Sequence, residues 1–480
     1  MGIRLRQAYV IRGTVKTSLG YDDLVRIAIE GGPMHANPIY CFHPTPERAA
    51  EFAAPAYDVF DRAGAAAYVA AHPRSFLAID RPETGFAPDH DMYADDVYEH
   101  ARALLNQRVA DGTLLRDENP CYYVWRLKTA GGHTQTGLVC GVAVDDYEDG
   151  TVHRHEEVLA EKAADRIRHI RTTNAQTGPI FLAYRDNPTI DALVALTTTG
   201  EPFYDFVAED GCRHTIWRIS RDVAIGSLQL MFEQVPDAYI ADGHHRCASA
   251  VAVCEERRAA AREAEKTDGA AGDSPADDDP STTATRAGAA ARTTNAPGEE
   301  VAPYDRFLAV LFPASQLEIM PYDRVLTDAG GLTADEAVAA IRAAGFTVEP
   351  AEGVVDPQAH GEYGLKIEGR WYTVRLDGGR ADDPAIDPVA SLDTTIAQER
   401  ILGPVFGIAD PTRDSRISFV GGADAAEQAD ARAGQTGVAL TLHATSMDQL
   451  MAVADAGKLM PPKSTWFEPK LLSGLFIRRI

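Results

Sequence analysis

Lysine is scarce in this chain. Eight of its 46 basic residues are lysine, and 71 acids outweigh them all, giving a net charge of −25. A surface of that sign repels nucleic-acid phosphates and anionic membranes. No long basic patch offsets it, so neither a nucleic-acid nor a membrane partner is expected. No run of about 18 apolar residues occurs, which excludes an expected helical membrane span. The opening MGIRLRQAYVIRGTV holds no apolar stretch of signal-peptide length, so a cytoplasmic protein is expected. The six cysteines, Cys41, Cys121, Cys140, Cys212, Cys247 and Cys254, include no C-x-x-C pair. That pattern argues against a zinc site or a disulfide framework.

What is present is a chain of 480 residues, 45 % hydrophobic, long enough for two or three domains with a sizeable core. The acidic, alanine-rich composition resembles that of proteins from a high-salt cytoplasm. Residues 1–33 read as an extension that is flexible or foreign to the native protein, with Met34 a second plausible start. Residues 34–332 read as a main α/β domain, interrupted at about 259–303 by an acidic, Gly/Pro/Ser/Thr-rich insertion without periodicity, expected to be disordered. Residues 333–480 read as a smaller α/β portion. The fold class expected is α/β (α+β), with a mixed sheet in the N-terminal region.

Periodicity and turn residues predict the elements. Strands are expected at 75–79, 121–127, 135–144, 180–184, 191–197, 214–218, 305–312, 317–326, 364–367, 371–376 and 437–442. Helices are expected at 95–111, 157–170, 225–234, 333–344, 392–401 and 446–456. Thr333 and Glu336 form a capping-box pattern.

The chemistry concentrates at residues 237–250, DAYIADGHHRCASA. An apolar strand runs into Asp242-Gly243, then His244, His245 and Arg246 open a helix. A strand, a glycine turn and a helix start point free N–H groups at an anion. Arg246 can fork onto phosphate oxygens, and the two histidines add donors or proton carriers. Cys247 and Cys254, seven apart on that helix, both face the core.

Two further clusters stand out. His155-Glu156 sets an imidazole beside a carboxylate at a helix entrance, a ready general base; Arg166 lies on the helix that follows. Asn174 and Thr177 sit in a polar loop and suit either a ligand or a turn. Near the C-terminus, Lys463 and Ser464 lie in a tail with two aromatics. That apolar ballast predicts that the tail docks, where Lys463 can reach an anion in a cleft.

APAYDV near the start, HRHEEVLAEKAADRIRHIRTTNAQTGPIFLAYRD in the middle, IADGHHR, and MPPKSTWFEPKLLSGL at the end resemble, in order, the domain-of-unknown-function 1015 family. The resemblance covers about residues 37–476. Departures are Pro55-Ala56 where the family usually has two prolines, Cys247 where it has an aromatic, and Trp466 near KST. The GHHR turn is similar to the phosphate-binding turn of the ParB/sulfiredoxin-like group, which includes kinases for free serine.

That resemblance implies a nucleotide-dependent kinase for a small hydroxylated metabolite, free L-serine first, with ATP or ADP as the expected donor. Gly243, His244, His245 and Arg246 would cradle phosphates, and Asp242 would help hold magnesium. Glu156 with His155 would take the acceptor proton. Arg166, Lys463 and Ser464 would meet the transferring group, and Asn174 and Thr177 the substrate. Rival readings are a ParB-like nucleotide switch, a sulfiredoxin-like redox enzyme that would need a reactive Cys247, and a non-catalytic anion-binding protein.

Overall fold

Two β-sheets organise the chain in the computed structural model. The described residues are 34–270, 300–378 and 387–480, with two-residue strands at Val10–Ile11, Thr14–Val15 and Thr293–Thr294. The reading of 1–33 as an extension and the disorder expected over most of the acidic insertion lie outside them.

The first sheet has nine strands: β1 Ala36–Asn37, β2 Tyr122–Lys128, β3 Thr134–Ala143, β4 Val152–His153, β5 Ile180–Tyr184, β6 Tyr204–Val207, β7 Arg213–Ile219, β8 Ala238–Asp242 and β9 Arg306–Pro313. Their order is β6-β7-β2-β3-β9-β5-β8-β4, with β1 on β3. The sheet is mixed: β5 runs parallel to β9, and β8 parallel to β4, while the other pairs are antiparallel. Alternate side chains of each strand go to opposite faces. Tyr123, Trp125, Phe181, Tyr239 and Val310 fill one face. Tyr122, Val124, Leu182, Ile240 and Leu311 fill the other. Both faces are covered, so these strands read as continuous apolar runs.

The second sheet has six strands: β10 Tyr322–Leu326, β11 Phe346–Ala351, β12 Glu362–Ile367, β13 Arg370–Leu376, β14 Ile417–Gly421 and β15 Val438–Leu442. All its pairs are antiparallel, in the order β11-β13-β12-β15-β10-β14. The helix Ala334–Ala343, closed by the Thr333/Glu336 capping box, packs Ile341 into its core with Phe346, Tyr363 and Leu365. The mixed α/β class is thus as expected.

Several local expectations differ from what forms. Residues 75–79 are a turn into the short buried helix Leu77–Asp80; a brief apolar run does not tell strand from helix. Residues 191–197 belong to the helix Pro188–Thr197. Asn187 caps it by accepting from the Thr189 and Ile190 N–H groups, and Pro188 supplies a first helical residue that needs no donor. The expected strand at 317–326 is two, Glu318–Ile319 and Tyr322–Leu326, in different sheets. The helix from the GHHR turn continues to Ala270, past residue 259 where the insertion was expected to begin.

The C-terminal tail docks. Phe467–Glu468 pairs with Glu318–Ile319, and Arg478–Arg479 pairs with Ala175–Gln176. Between them Leu471, Leu472, Leu475 and Phe476 join the core of the nine-stranded sheet. Among the described residues no helix is long and apolar enough to cross a membrane. Phe476, 1 % exposed, packs 4.8 Å from Tyr123 and 5.7 Å from Trp125 between ring centroids. Phe476→Ala should therefore cost about 3–5 kcal/mol, the usual cost of emptying a buried aromatic site. Urea melts of the two proteins measure it.

Candidate functional site

β8 ends at Asp242, and helix α1, His244–Ala270, begins one residue later. Gly243 makes the junction with φ +99°, a backbone region that side chains other than glycine rarely occupy. A Cβ there would also sit 3.1 Å from the Arg246 guanidinium. The first α-helical bond runs from the Cys247 N–H to the Gly243 carbonyl at 2.9 Å. The N–H groups preceding it have no partner within the helix, and the positive end of the helix dipole lies among them.

Arg246 is folded back over this turn. It donates to the Asp242 carboxylate at 2.5 Å and to the Pro179 carbonyl. Lys470 of the tail lies 3.7 Å from the other Asp242 oxygen. Burial works against ionisation of Asp242, yet Lys470 and then Arg246 hold its carboxyl down to about 2. Both carboxylate oxygens therefore face protein cations. Among the described residues no group of three or more His, Cys, Asp or Glu could hold a metal. Asp242 does not fit the role of a magnesium ligand, and it acts instead as the counter-ion that sets Arg246 and Lys470.

His155 and His244 stack edge to face at 4.5 Å between centroids, both buried. The His155 backbone N–H donates to His244 Nε2 at 3.4 Å, which leaves the proton of a neutral His244 on Nδ1. That Nδ1 lies 3.6 Å from Glu156 Oε2. Burial lowers His155 to about 4 and His244 well below its ordinary value, so both rings are neutral near pH 7. The Leu159 N–H donates to His245 Nε2 at 3.1 Å, and burial and the nearby Lys162 lower His245 too. The histidines thus offer oriented dipoles, and the fixed positive charge comes from lysine and arginine.

Glu156 is the carboxylate of interest. Burial raises its pKa, while Lys463, and less strongly Lys470 and Lys162, pull it back down. Lys463 is held in a left-handed conformation, φ 62°, by its neighbours. Its carbonyl accepts from Arg324 at 3.1 Å, and its ammonium sits 5.6 Å over the Tyr322 ring. Thr465 Oγ1 lies 3.4 Å from His155 Nε2, and the Met460 N–H donates to the His155 carbonyl at 2.7 Å. The tail therefore builds one wall of the site.

Four expected site residues have protein partners of their own, although Arg166 and Thr177 line a small cavity with Arg246. Arg166 is buried against Asp165, 2.7 Å from it, and stacks on Tyr57 at 4.3 Å, so its charge is already neutralised. Ser464 is buried with its hydroxyl 3.0 Å from Thr394 and donating to the Pro461 carbonyl at 2.7 Å. Asn174 is the left-handed C-cap of the helix Ala160–Thr173, and its side chain accepts from Arg257 at 2.5 Å. Thr177 donates to Asp80 at 2.7 Å. The site assembles instead Asp58, Lys162 and Lys470, which sequence reasoning left out. A signal existed: in a chain this poor in lysine, three of the eight converge on one carboxylate.

All six cysteines are buried. Cys247 is 0 % exposed and burial drives its thiol pKa up, the reverse of a reactive thiol.

A profile of the family described as "Protein of unknown function (DUF1015)" matches residues 37–278 and 281–395. The chain belongs to the DUF1015 family. No curated protein matches it. Solved structures similar to this DUF1015 chain include a conserved hypothetical protein from Pyrococcus furiosus, 13 % identical, covering 69 % of this chain and 90 % of that one, TM-score 0.30. A free serine kinase in complex with AMP is 13 % identical, covering 69 % and 86 %, TM-score 0.30. SbnI with C-terminal truncation from Staphylococcus aureus is 10 % identical, covering 70 % and 85 %, TM-score 0.32. Similarity at that level gives no residue-by-residue correspondence.

His155 makes the site acid-sensitive. Its folded pKa of about 4 lies below the ordinary 6.5, so below pH 6.5 the unfolded chain takes up the proton first. Stability should fall as pH drops from 6.5 toward 4, by up to about 1.4 kcal/mol per pH unit for this group. His153, raised by its bond to Asp237, contributes the opposite slope, so the comparison needs a variant. Denaturant melts at pH 7 and pH 5 should show a smaller loss in His155→Gln than in wild type.

Proposed function

We propose that this DUF1015 chain transfers a phosphoryl group from ATP or ADP to the hydroxyl of a small metabolite, with free L-serine as the first acceptor to test. The observation that carries the reading is Glu156. It is a carboxylate of raised proton affinity, ringed by lysines, beside a helix N-terminus that carries free N–H groups.

Phosphoryl transfer needs positioning and charge neutralisation more than covalent chemistry. The N–H groups opening α1 and the Lys463 and Lys470 ammoniums would receive the phosphates. Asp242 and Arg246 would keep the turn in shape. Glu156 would accept the proton of the acceptor hydroxyl as its oxygen bonds to phosphorus and the bond to the departing nucleotide oxygen breaks. His244, whose Nδ1 lies 3.6 Å from Glu156, would sit beside the base, and His155 with Thr465 would orient His244. Magnesium would arrive on the nucleotide rather than on a protein cluster, since Asp242 already serves two cations. Asp58, which acts on His245 with the opposite sign to Lys463, would help select the acceptor by charge.

The test is a transfer assay in high salt with magnesium, pairing ATP and ADP with hydroxy amino acids and sugars and following product by mass spectrometry. Wild type should form phosphoserine. Glu156→Gln should lower kcat by about 10²–10⁴, the usual worth of a general base, with nucleotide affinity kept. Unchanged turnover in Glu156→Gln would sink the assignment. Nucleotide consumed without a phosphorylated acceptor would favour the ParB-like switch.

The pH profile gives a second check. Activity requires ionised Glu156, so the acid limb should lie above the ordinary glutamate value of 4.5. Lys463 lowers the Glu156 pKa, so in Lys463→Met that limb should move to higher pH. A limb that stays in place would dissociate Lys463 from Glu156.

A further inference from the structure

A cleft of about 1360 Å³ opens beside the site. One wall holds Pro55, Ala56 and Val59, which flank Tyr57 and Asp58 in the chain; another holds Lys470, the residue that faces Asp242. Cleft and site therefore share Lys470. Ligand pockets usually run to about 300–1000 Å³ and are mostly filled by what they bind. A lone amino acid would leave most of this cleft to water.

Its lining has a definite chemistry. Phe206, Met320, Trp466, Leu471 and Leu472 give it an apolar floor. Five carboxylates line it, Glu51, Glu209, Asp210, Glu318 and Glu468, against two permanent cations, Arg74 and Lys470. Arg74 is bound to Glu51 at 2.8 Å, and Lys470 is turned to Asp242. The partners of Glu209 and Glu318 are His72 at 3.3 Å and His133 at 3.2 Å, which are charged only when protonated. The cleft lining thus carries more carboxylates than permanent cations, and Lys470 links it to the site.

We infer that this cleft seats the non-reacting part of the acceptor, an elongated apolar body ending in a cationic amine, whose hydroxyl end reaches Glu156. The inference rests on the phosphotransfer reading for the hydroxyl end alone. An apolar body removes the floor from water at about 25 cal/mol per Å². An ammonium gains from the rim carboxylates, and a phosphate or carboxylate tail is repelled by them. Free serine, which has no apolar body and carries a carboxylate of its own, leaves the cleft unused.

Aminooctanol, octanol and free serine are the probes, with binding followed by calorimetry on the full chain. Aminooctanol should bind at least about tenfold tighter than octanol or serine. Ala130→Trp, which fills the cleft from an exposed wall position, should weaken it at least about tenfold and leave nucleotide binding unchanged. The double variant Glu209→Gln/Asp210→Asn should bring aminooctanol toward the affinity of octanol. Equal affinity for octanol and aminooctanol, or binding untouched by Ala130→Trp, overturns the inference. Tight, amine-selective binding with no phosphorylated product upholds the cleft and overturns phosphotransfer. Serine phosphorylated at an unchanged rate by Ala130→Trp, with no binding of aminooctanol to wild type, does the reverse.

Discussion

The contact between Asp242 and Arg246 is the constraint on which the site depends. It closes the strand-to-helix junction across Gly243 and packs the guanidinium where a side chain on residue 243 would have to go. Arg246 also reaches the Pro179 carbonyl, tying α1 to the loop before β5. With the turn held this way, Asp242 presents its second oxygen to Lys470. A buried charge pair stabilises little by itself, because desolvation offsets much of the attraction. Its value here is geometric: one arrangement of the turn satisfies both charges.

The tail completes what the turn begins. It leaves the six-stranded sheet, passes the site with Lys463, Thr465 and Lys470, then lays Leu471, Leu472, Leu475 and Phe476 into the core of the nine-stranded sheet. Ser464 explains how Lys463 and Thr465 come to face the site. Its hydroxyl is clamped to Thr394 and the Pro461 carbonyl, and its own carbonyl accepts from Thr445 at 2.9 Å, so its neighbours are turned the other way. The electrostatics follow from that wall. Partial burial raises the proton affinity of Glu156 and three lysines pull it back, while the paired histidines beside it stay neutral.

Much of this was legible in the sequence where pattern and chemistry coincide. The strand, glycine turn and helix at 238–250, the paired strands at 122–128 and 134–143, and the capping box at Thr333 all announce themselves by period or by a turn residue. Burial on both faces made 180–184 and 306–313 equally plain. Short buried runs were not legible: the residues at 77–80 and 188–197 are apolar in either conformation, and Asn187-Pro188 was the cue that separated them. Site membership was harder. Arg166 and Asn174 sit in a polar stretch, and only the fold shows that Asp165 and Arg257 occupy them first. Lys470 and Lys162 are far from the turn in sequence and reach it through tertiary packing, which no local pattern encodes.

On the proposed reading, the start of α1, with Lys463 and Lys470, seats nucleotide phosphates. Calorimetric titration of wild type and Lys470→Met with ADP and with adenosine tests it most directly. ADP should bind far more tightly than adenosine to wild type, and Lys470→Met should lose most of that difference. Equal affinity for ADP and adenosine, or an ADP preference untouched by Lys470→Met, would contradict it.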